Sequence, residues 1–267
     1  MNNISACLVV HNEERYIGRC LESLRGVVDE IIVVSDGPCQ DKTLAIAESF
    51  GARIFIQPYQ GEAEIQRPFS YEQTSNNWIL QIDGDEFLSL ELKNQLGNLI
   101  SDETASAYQF IWPLWNGKKR VSQSWPYKLC LFRKDKISFL GIPHFVPEVR
   151  GEIKKIKLIL EHQPDYNNLS LSIFKKKWRS WAKIQAQGYL QDFKTINRYN
   201  WAGQEWPAKI RMRRNFPLLL LPLEFLLVLF NNIWSGAYRA GFYGLKSAFL
   251  SSLYRATVNY YLFKLKK

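Results

Sequence analysis

Between residues 5 and 100 the chain alternates four times between a short apolar run and a segment whose apolar residues recur at helical spacing. Residues 5–10 precede 13–25, where Ile17, Cys20, Leu21 and Leu24 fall three and four apart. The same pattern follows at 30–34 and 44–50, at 53–57 and 63–74, and at 78–82 and 88–100. Strands without polar alternation need cover on both faces, so this order predicts an α/β fold with a mostly parallel sheet wrapped by helices. Ligands of such sheets bind beyond the carboxyl ends of the strands.

Polar residues fall at those ends. The first strand runs into His11-Asn12-Glu13-Glu14, the second into Ser35-Asp36-Gly37-Pro38, and the fourth into Asp83-Gly84-Asp85-Glu86. From about 107 to 157 the reading turns irregular and aromatic, with strands expected at 108–112, 128–133 and 154–159, which predicts a mixed or antiparallel extension of the sheet. Beyond Leu169 helices dominate, at 170–193, 216–232 and 237–263. No GxGxxG follows the first strand and no GxxxxGK[ST] occurs, so dinucleotide and P-loop chemistry drop out. A sugar-nucleotide pyrophosphorylase is excluded with them, for want of a Gly-rich loop after the first strand.

Charge divides the chain. The net charge is +10, yet residues 1–149 hold 14 basic and 19 acidic side chains whereas residues 150–267 hold 21 and 6. This places a domain boundary near 165, with a catalytic domain at 1–165 and a basic helical region at 166–267. Four cysteines without CxxC spacing read as reduced thiols. The N-terminal residues lack the basic and long apolar regions of a secretory signal, so the protein is expected inside the cell.

Asp83-Gly84-Asp85 carries the sharpest chemistry. Two carboxylates around a glycine, directly after an apolar strand, can converge on Mg²⁺ or Mn²⁺, which takes a few carboxylates and phosphate oxygens. Such an ion neutralises a diphosphate leaving group. The plainer alternative is an acidic turn at the start of the next helix.

Taken together, HNEERYIGRCLES, DEIIVVSDGPCQDKT and GEAEIQRPFSYEQTSNNWILQIDGDEFLSLEL resemble the nucleotide-sugar domain of family 2 glycosyltransferases, which have the GT-A fold. The resemblance is to the branch of lipopolysaccharide core β-1,4-glucosyltransferase-like proteins. It implies that Val10, Asn12 and Glu14 hold the nucleotide, that Asp36 contacts the base, and that Arg67 lies near the nucleotide. It further implies that Asp83 faces the ribose or the metal and that Asp85 binds the metal. Pro68 stands where the family usually has Asn, and a proline biases its predecessor away from helix, so a shifted helix start is expected there. A surface pairing of Arg67 with Glu62 or Glu64 is the alternative to its nucleotide role.

An inverting transfer, typical of the family, needs a base that deprotonates the acceptor hydroxyl. Glu148 and His144, in the segment His144-Phe-Val-Pro-Glu148, both suit the place where relatives carry Val-His-Glu; Glu86 is a weaker rival. His162 after the LILE strand is a possible third metal ligand. Such a protein takes a nucleotide-sugar donor, probed first as a UDP sugar, with Mg²⁺ or Mn²⁺ as cofactor.

The most apolar stretch, 216–233, has eighteen residues broken by Pro217, Pro222, Glu224 and two asparagines, fewer than the roughly twenty that span a bilayer. Residues 206–267 hold ten basic side chains against Glu224 alone, interleaved with tryptophan and tyrosine. Apolar faces edged in this way suit helices lying in a headgroup region. A helix buried against the catalytic domain is the alternative. Nucleic acid is not expected as a partner, because a Leu/Phe/Val-rich stretch has no use on a phosphate backbone. The expected protein is a peripheral hexosyltransferase on the cytoplasmic face of the inner membrane, acting on a glycolipid such as lipopolysaccharide core. A catalytically inactive glycolipid-binding or scaffold module of the same fold is the competing expectation.

Overall fold

A computed structural model describes residues 3–266. The alternation in the first hundred residues becomes β1 (Ile4–Val10), α1 (Ile17–Leu24), β2 (Glu30–Asp36), α2 (Thr43–Ser49), β3 (Arg53–Gln57), α3 (Ala63–Glu72), β4 (Trp78–Gln81) and α4 (Leu90–Ile100). A strand of three residues, β5 (Glu86–Leu88), interrupts before α4. Ser89 then caps α4, its hydroxyl accepting from the Leu92 N–H at 3.2 Å. There follow β6 (Ala105–Ile111), β7 (Tyr127–Arg133), β8 (Ile137–Leu140), β9 (Glu148–Val149) and β10 (Glu152–His162).

The main sheet has the order β3-β2-β1-β4-β7-β6-β10-β5. Strands β3, β2, β1 and β4 pair in parallel, β7 runs antiparallel to both β4 and β6, and β10 is parallel to β6. A mostly parallel sheet with a mixed extension is therefore present, as the strand patterning implies. On one face Ile17, Cys20, Leu21 and Leu24 of α1 are fully buried with Leu92 and Leu96 of α4. On the other, Tyr71 of α3 meets Phe132, Phe139 and Tyr199 edge to face. Each such buried aliphatic or aromatic side chain contributes about 1.5–3 kcal/mol through area removed from water.

Pro68 does not shift the start of α3. The helix begins at Ala63 and runs through the proline to Glu72; the ring is buried on the sheet, and packing there outweighs the hydrogen bond that the missing N–H forfeits.

The helical region docks on the sheet domain. The expected long helix starts as α5 (Leu171–Ile173), passes through a π-helical turn at Phe174–Trp178 and continues as α6 (Arg179–Leu190). A two-residue strand, β11 (Arg198–Tyr199), pairs with β8. Then come α7 (Ala208–Asn215), α8 (Pro217–Trp234), a 3-10 turn at Ala237–Ala240 and α9 (Gly241–Lys266). Ala182 and Ala186 of α6 and Val258 and Leu262 of α9 share a core with Leu140 and Ile142 of the sheet domain, so the chain on either side of residue 165 is packed together.

Helix α8 lies along α9, and Pro217 is its one buried residue among those described. Leu219, Leu223, Leu226, Leu227 and Phe230 are each more than half exposed, so the run is not buried against the catalytic domain, although Leu229 packs against the cluster that includes Leu114, Trp125 and Leu169. Its acid, Glu224, faces inward: Arg213 Nε donates to both carboxylate oxygens at 2.8 and 3.1 Å, and Asn259 Nδ2 to Oε2 at 2.9 Å. At the start of α9, Gly244 allows a backbone approach no other residue permits, since a Cβ there would stand 1.9 Å from the Ala237 carbonyl oxygen. Contrary to the expectation that the run is too short to span, α8 is, by its length of 18 residues and mean hydropathy of 1.7 alone, long and apolar enough to cross a membrane.

Candidate functional site

The carboxyl ends of β1 and β2 are laced together. Asn12, at φ +56°, accepts the Gln40 N–H on Oδ1 at 2.7 Å, and Glu14 accepts the Lys42 N–H on Oε2 at 2.9 Å. Glu13 N–H donates to Thr43 Oγ1 at 2.6 Å. Asn12 and Glu14 thus brace residues 38–42 against the entrance of α1, with Val10 buried beneath them. Both Asp36 oxygens are engaged within the chain, accepting from the Gln60 and Gly61 N–H groups at 2.8 Å and from Gln66 Nε2 at 3.0 Å. Asp36 therefore anchors the β3–α3 loop, on which the Tyr59 ring lies tilted against His11 at 4.9 Å.

At the end of β4 a compact ion network forms. Asp83 accepts from Arg67 Nη2 on Oδ1 at 3.0 Å and from Lys128 Nζ on Oδ2 at 2.7 Å. Arg67 thus turns inward to Asp83, and its side chain is 11% exposed, too buried for a surface pairing with Glu62 or Glu64. Lys128 also reaches Glu86 Oε1 at 2.6 Å. Glu86 is wholly buried and further holds Trp112 Nε1 at 2.5 Å and the Asp83 N–H at 2.9 Å. Burial pushes the Glu86 carboxyl up, against the pull of Lys128. Burial also pushes Asp83 up, but Lys128 and Arg67 outweigh it and hold that carboxyl well below its usual range. Glu86 is consequently a buried partner of Lys128 rather than a group facing solvent.

Asp85 is free of this network. Its Oδ2 lies 3.3 Å from His162 Nε2, a contact set by the pairing of β5 with β10, in which Glu86 stands opposite His162. The His162 ring stacks on Trp112 at 4.0 Å. Gly84 leaves room for Glu13, because a Cβ there would lie 3.3 Å from Glu13 Oε2. Burial first, then the nearby charges of Asp85 and Asp83, push Glu13 up to about 7. Carboxylates crowded this closely suit a divalent cation. Asp85 and His162 would hold it, with Glu13 beside them, an oxygen and nitrogen donor set that Mn²⁺ accepts more readily than Mg²⁺. Among the described residues no group of three or more His, Cys, Asp or Glu is already gathered in metal-binding geometry.

These groups edge a cleft of about 790 Å³ that runs from Glu13, Asp83, Asp85 and His162 past Lys128 to an aromatic wall and the inner side of α8 and α9. His144 is on that cleft; Glu148, exposed on β9, is not. Burial lowers the His144 pKa, so the imidazole is neutral near pH 7, and its Nε2 has no hydrogen-bond partner. Two residues of the site escape sequence reasoning. Glu13 stands between Asn12 and Glu14, and its only signal in the sequence is that of one more carboxylate at a strand end. Lys128 had a signal too, as a lone cation in the apolar strand YKLCLF.

Residues 5–156 match the family model described as glycosyl transferase family 2. An uncharacterized glycosyltransferase of Rickettsia felis is 38% identical over 108 residues, 40% of this chain and 38% of that protein. The lipopolysaccharide core biosynthesis glycosyltransferase LpsC of Rhizobium meliloti is 36% identical over 107 residues, 38% of each chain. The chain thus matches little more than a third of the length of these relatives. A crystal structure of glucosyl-3-phosphoglycerate synthase from Mycobacterium tuberculosis overlaps with a TM-score of 0.35 and 26% identity, covering 41% of this chain and 43% of that one.

Proposed function

The chain belongs to glycosyl transferase family 2, and on that premise we propose that it is an inverting hexosyltransferase that moves a sugar from a UDP-linked donor to a glycolipid such as lipopolysaccharide core. The observation that carries this reading is the placement of Asp85 and His162 at one end of a cleft whose other end is aromatic and opens beside an apolar helix. A divalent cation bound there supplies charge neutralisation for the leaving diphosphate. Arg67 and Lys128 hold Asp83 ionised and fixed in direction, which orients the strand end toward the donor. The loops braced by Asn12, Glu14 and Asp36 form the edge on which the nucleotide lies.

His144 is the base this reading selects. A neutral imidazole with an unpartnered Nε2 on the cleft wall accepts the proton of the acceptor hydroxyl; the hydroxyl oxygen bonds to the sugar's anomeric carbon, and the bond from that carbon to the diphosphate breaks. The similarity to LpsC, a lipopolysaccharide core enzyme by name, supports a glycolipid acceptor.

In the same reading α8 and α9 lie in the plane of an anionic leaflet on the cytoplasmic side of the inner membrane. Leu219, Leu226 and Phe230 are exposed, and Lys209, Arg211, Arg239, Lys264 and Lys266 are exposed along the same region. Each basic group near such a surface is worth on the order of 1 kcal/mol.

The test is a screen of nucleotide sugars for Mn²⁺-dependent hydrolysis, followed by mass analysis of glycolipid from cells lacking the protein. Absence of metal-dependent UDP binding in calorimetry defeats the enzymatic reading and favours a glycolipid-binding module.

A further inference from the structure

The cleft continues well past the carboxylates, and its far end has a chemistry of its own. Trp125 closes one side, fixed by a hydrogen bond from its Nε1 to Ser235 Oγ at 2.9 Å. Trp178 and Trp181, one turn apart where the π-helical turn meets α6, close the other, with His144 against Trp181 at 5.5 Å. Ser247 and Ser251, one turn apart on α9, add hydroxyls to the wall. Flat apolar rings with a few polar groups between them suit a ligand that has both C–H faces and hydroxyls.

Two further observations narrow the ligand. The ring nitrogens Trp178 Nε1 and His144 Nε2 are buried without a hydrogen-bond partner, whereas buried polar groups are nearly always satisfied. A ligand hydroxyl that reached either nitrogen would supply the missing partner. The two permanent cations among the cleft-lining residues, Arg67 and Lys128, are both bound to Asp83, so the lining beside the tryptophans presents no free cation to a phosphate. A neutral saccharide fits; an anionic head group does not. Finally, Asn232 on the rim of this end is flanked by Phe230, Ile233 and Trp234 of the exposed face of α8, which are 62%, 36% and 80% exposed.

We propose that Trp125, Trp178 and Trp181 form a subsite for the neutral sugar head of a lipid-linked acceptor, whose chain leaves the cleft past Asn232 onto the exposed apolar face of α8. This rests on the transferase reading above and names where its acceptor lies. The apolar face is taken by the acceptor's own lipid and its bilayer, because the face is bordered by basic side chains that suit anionic headgroups.

The test uses the full chain and two sets of probes: methyl gluco-, galacto- and mannopyranosides, and the matching dodecyl glycosides below their micellar concentration. Binding is followed by ligand-observed NMR. The wild type is expected to bind at least one methyl glycoside saturably and its dodecyl form at least tenfold tighter. Trp181→Ala and Trp178→Ala are expected to weaken the methyl glycoside at least fivefold, with Trp181→Phe recovering most of it; melting temperatures verify that the variants are folded. Leu226→Glu is expected to erase the dodecyl advantage and leave methyl glycoside binding alone. Wild type that binds no methyl glycoside, or folded tryptophan variants that bind as wild type does, overturn the subsite. UDP calorimetry on the wild type separates the two claims: UDP binding without glycoside binding removes the subsite alone, and glycoside binding without UDP binding removes the transferase reading and the acceptor role with it.

Discussion

Each half of the molecule buries an ionised side chain within a local polar network, and the two arrangements have different uses. In the acidic half Lys128 sits between Asp83 and Glu86, at the edge of the cleft. In the basic half Glu224 sits between Arg213 and Asn259, at the seam of α7, α8 and α9 and away from the cleft lining. The first network fixes the direction of a carboxylate at a site; the second lets an apolar helix carry its one acid without showing it to the outside. Regional net charge is therefore a property of the surface and the site, while each interior compensates locally.

The comparison can be broken most sharply at the site. Asp85→Ala should lower sugar transfer by about 10³-fold or more with the melting temperature nearly unchanged, because the Asp85 carboxylate stands outside the buried Asp83–Lys128–Glu86 network and meets His162 at 3.3 Å; product formation from a UDP sugar with Mn²⁺ measures it. Next come the two buried ions. Lys128→Met and Glu224→Leu each leave an opposite charge buried and uncompensated, at a cost of about 3–5 kcal/mol in urea unfolding. The first should also remove activity, whereas the second should weaken α8 packing first. Equal loss of activity in both would erase the distinction between them.

A third test concerns the outer surface. Leu219→Glu with Leu226→Glu should weaken binding to vesicles containing anionic lipid by about tenfold or more, and 0.5 M salt should weaken wild-type binding as well, both read by sedimentation. The smallest effect is expected at Glu62, which burial, Glu64 and Asp36 push up to about 7. A raised carboxyl contributes stability fully below its unfolded value and loses it as pH rises through about 7. Glu62→Gln should flatten that loss and stabilise the protein at pH 8 by about 1–3 kcal/mol in thermal and urea unfolding.

Much of this was legible in the chain. Long strands and helices of the first hundred residues announce themselves by period, and the acidic strand ends follow from where those strands stop. The strands β5, β8, β9 and β11, of two to four residues, have too few positions for any period to register. Their loss matters, because β5 is what sets Glu86 opposite His162 and brings Asp85 to that histidine. Choosing between His144 and Glu148 was likewise beyond spacing alone: four residues apart in an irregular segment, one reaches the cleft and the other the solvent. The tryptophan-lined part of the cleft draws on segments from residue 125 to residue 251, and no local pattern reports a juxtaposition of that range.

One helix ties the two regions into a mechanical unit. Its 26 residues make α9 a rod about 39 Å long, with Ser247 and Ser251 in the cleft wall, Val258 and Leu262 in the core shared with the sheet domain, and α8 along its flank. Gly244 seats it directly on the Ala237 carbonyl, without slack. Because α8 packs along the same helix that carries Ser247 and Ser251, a displacement of α8 would reach the cleft wall through one continuous rigid element.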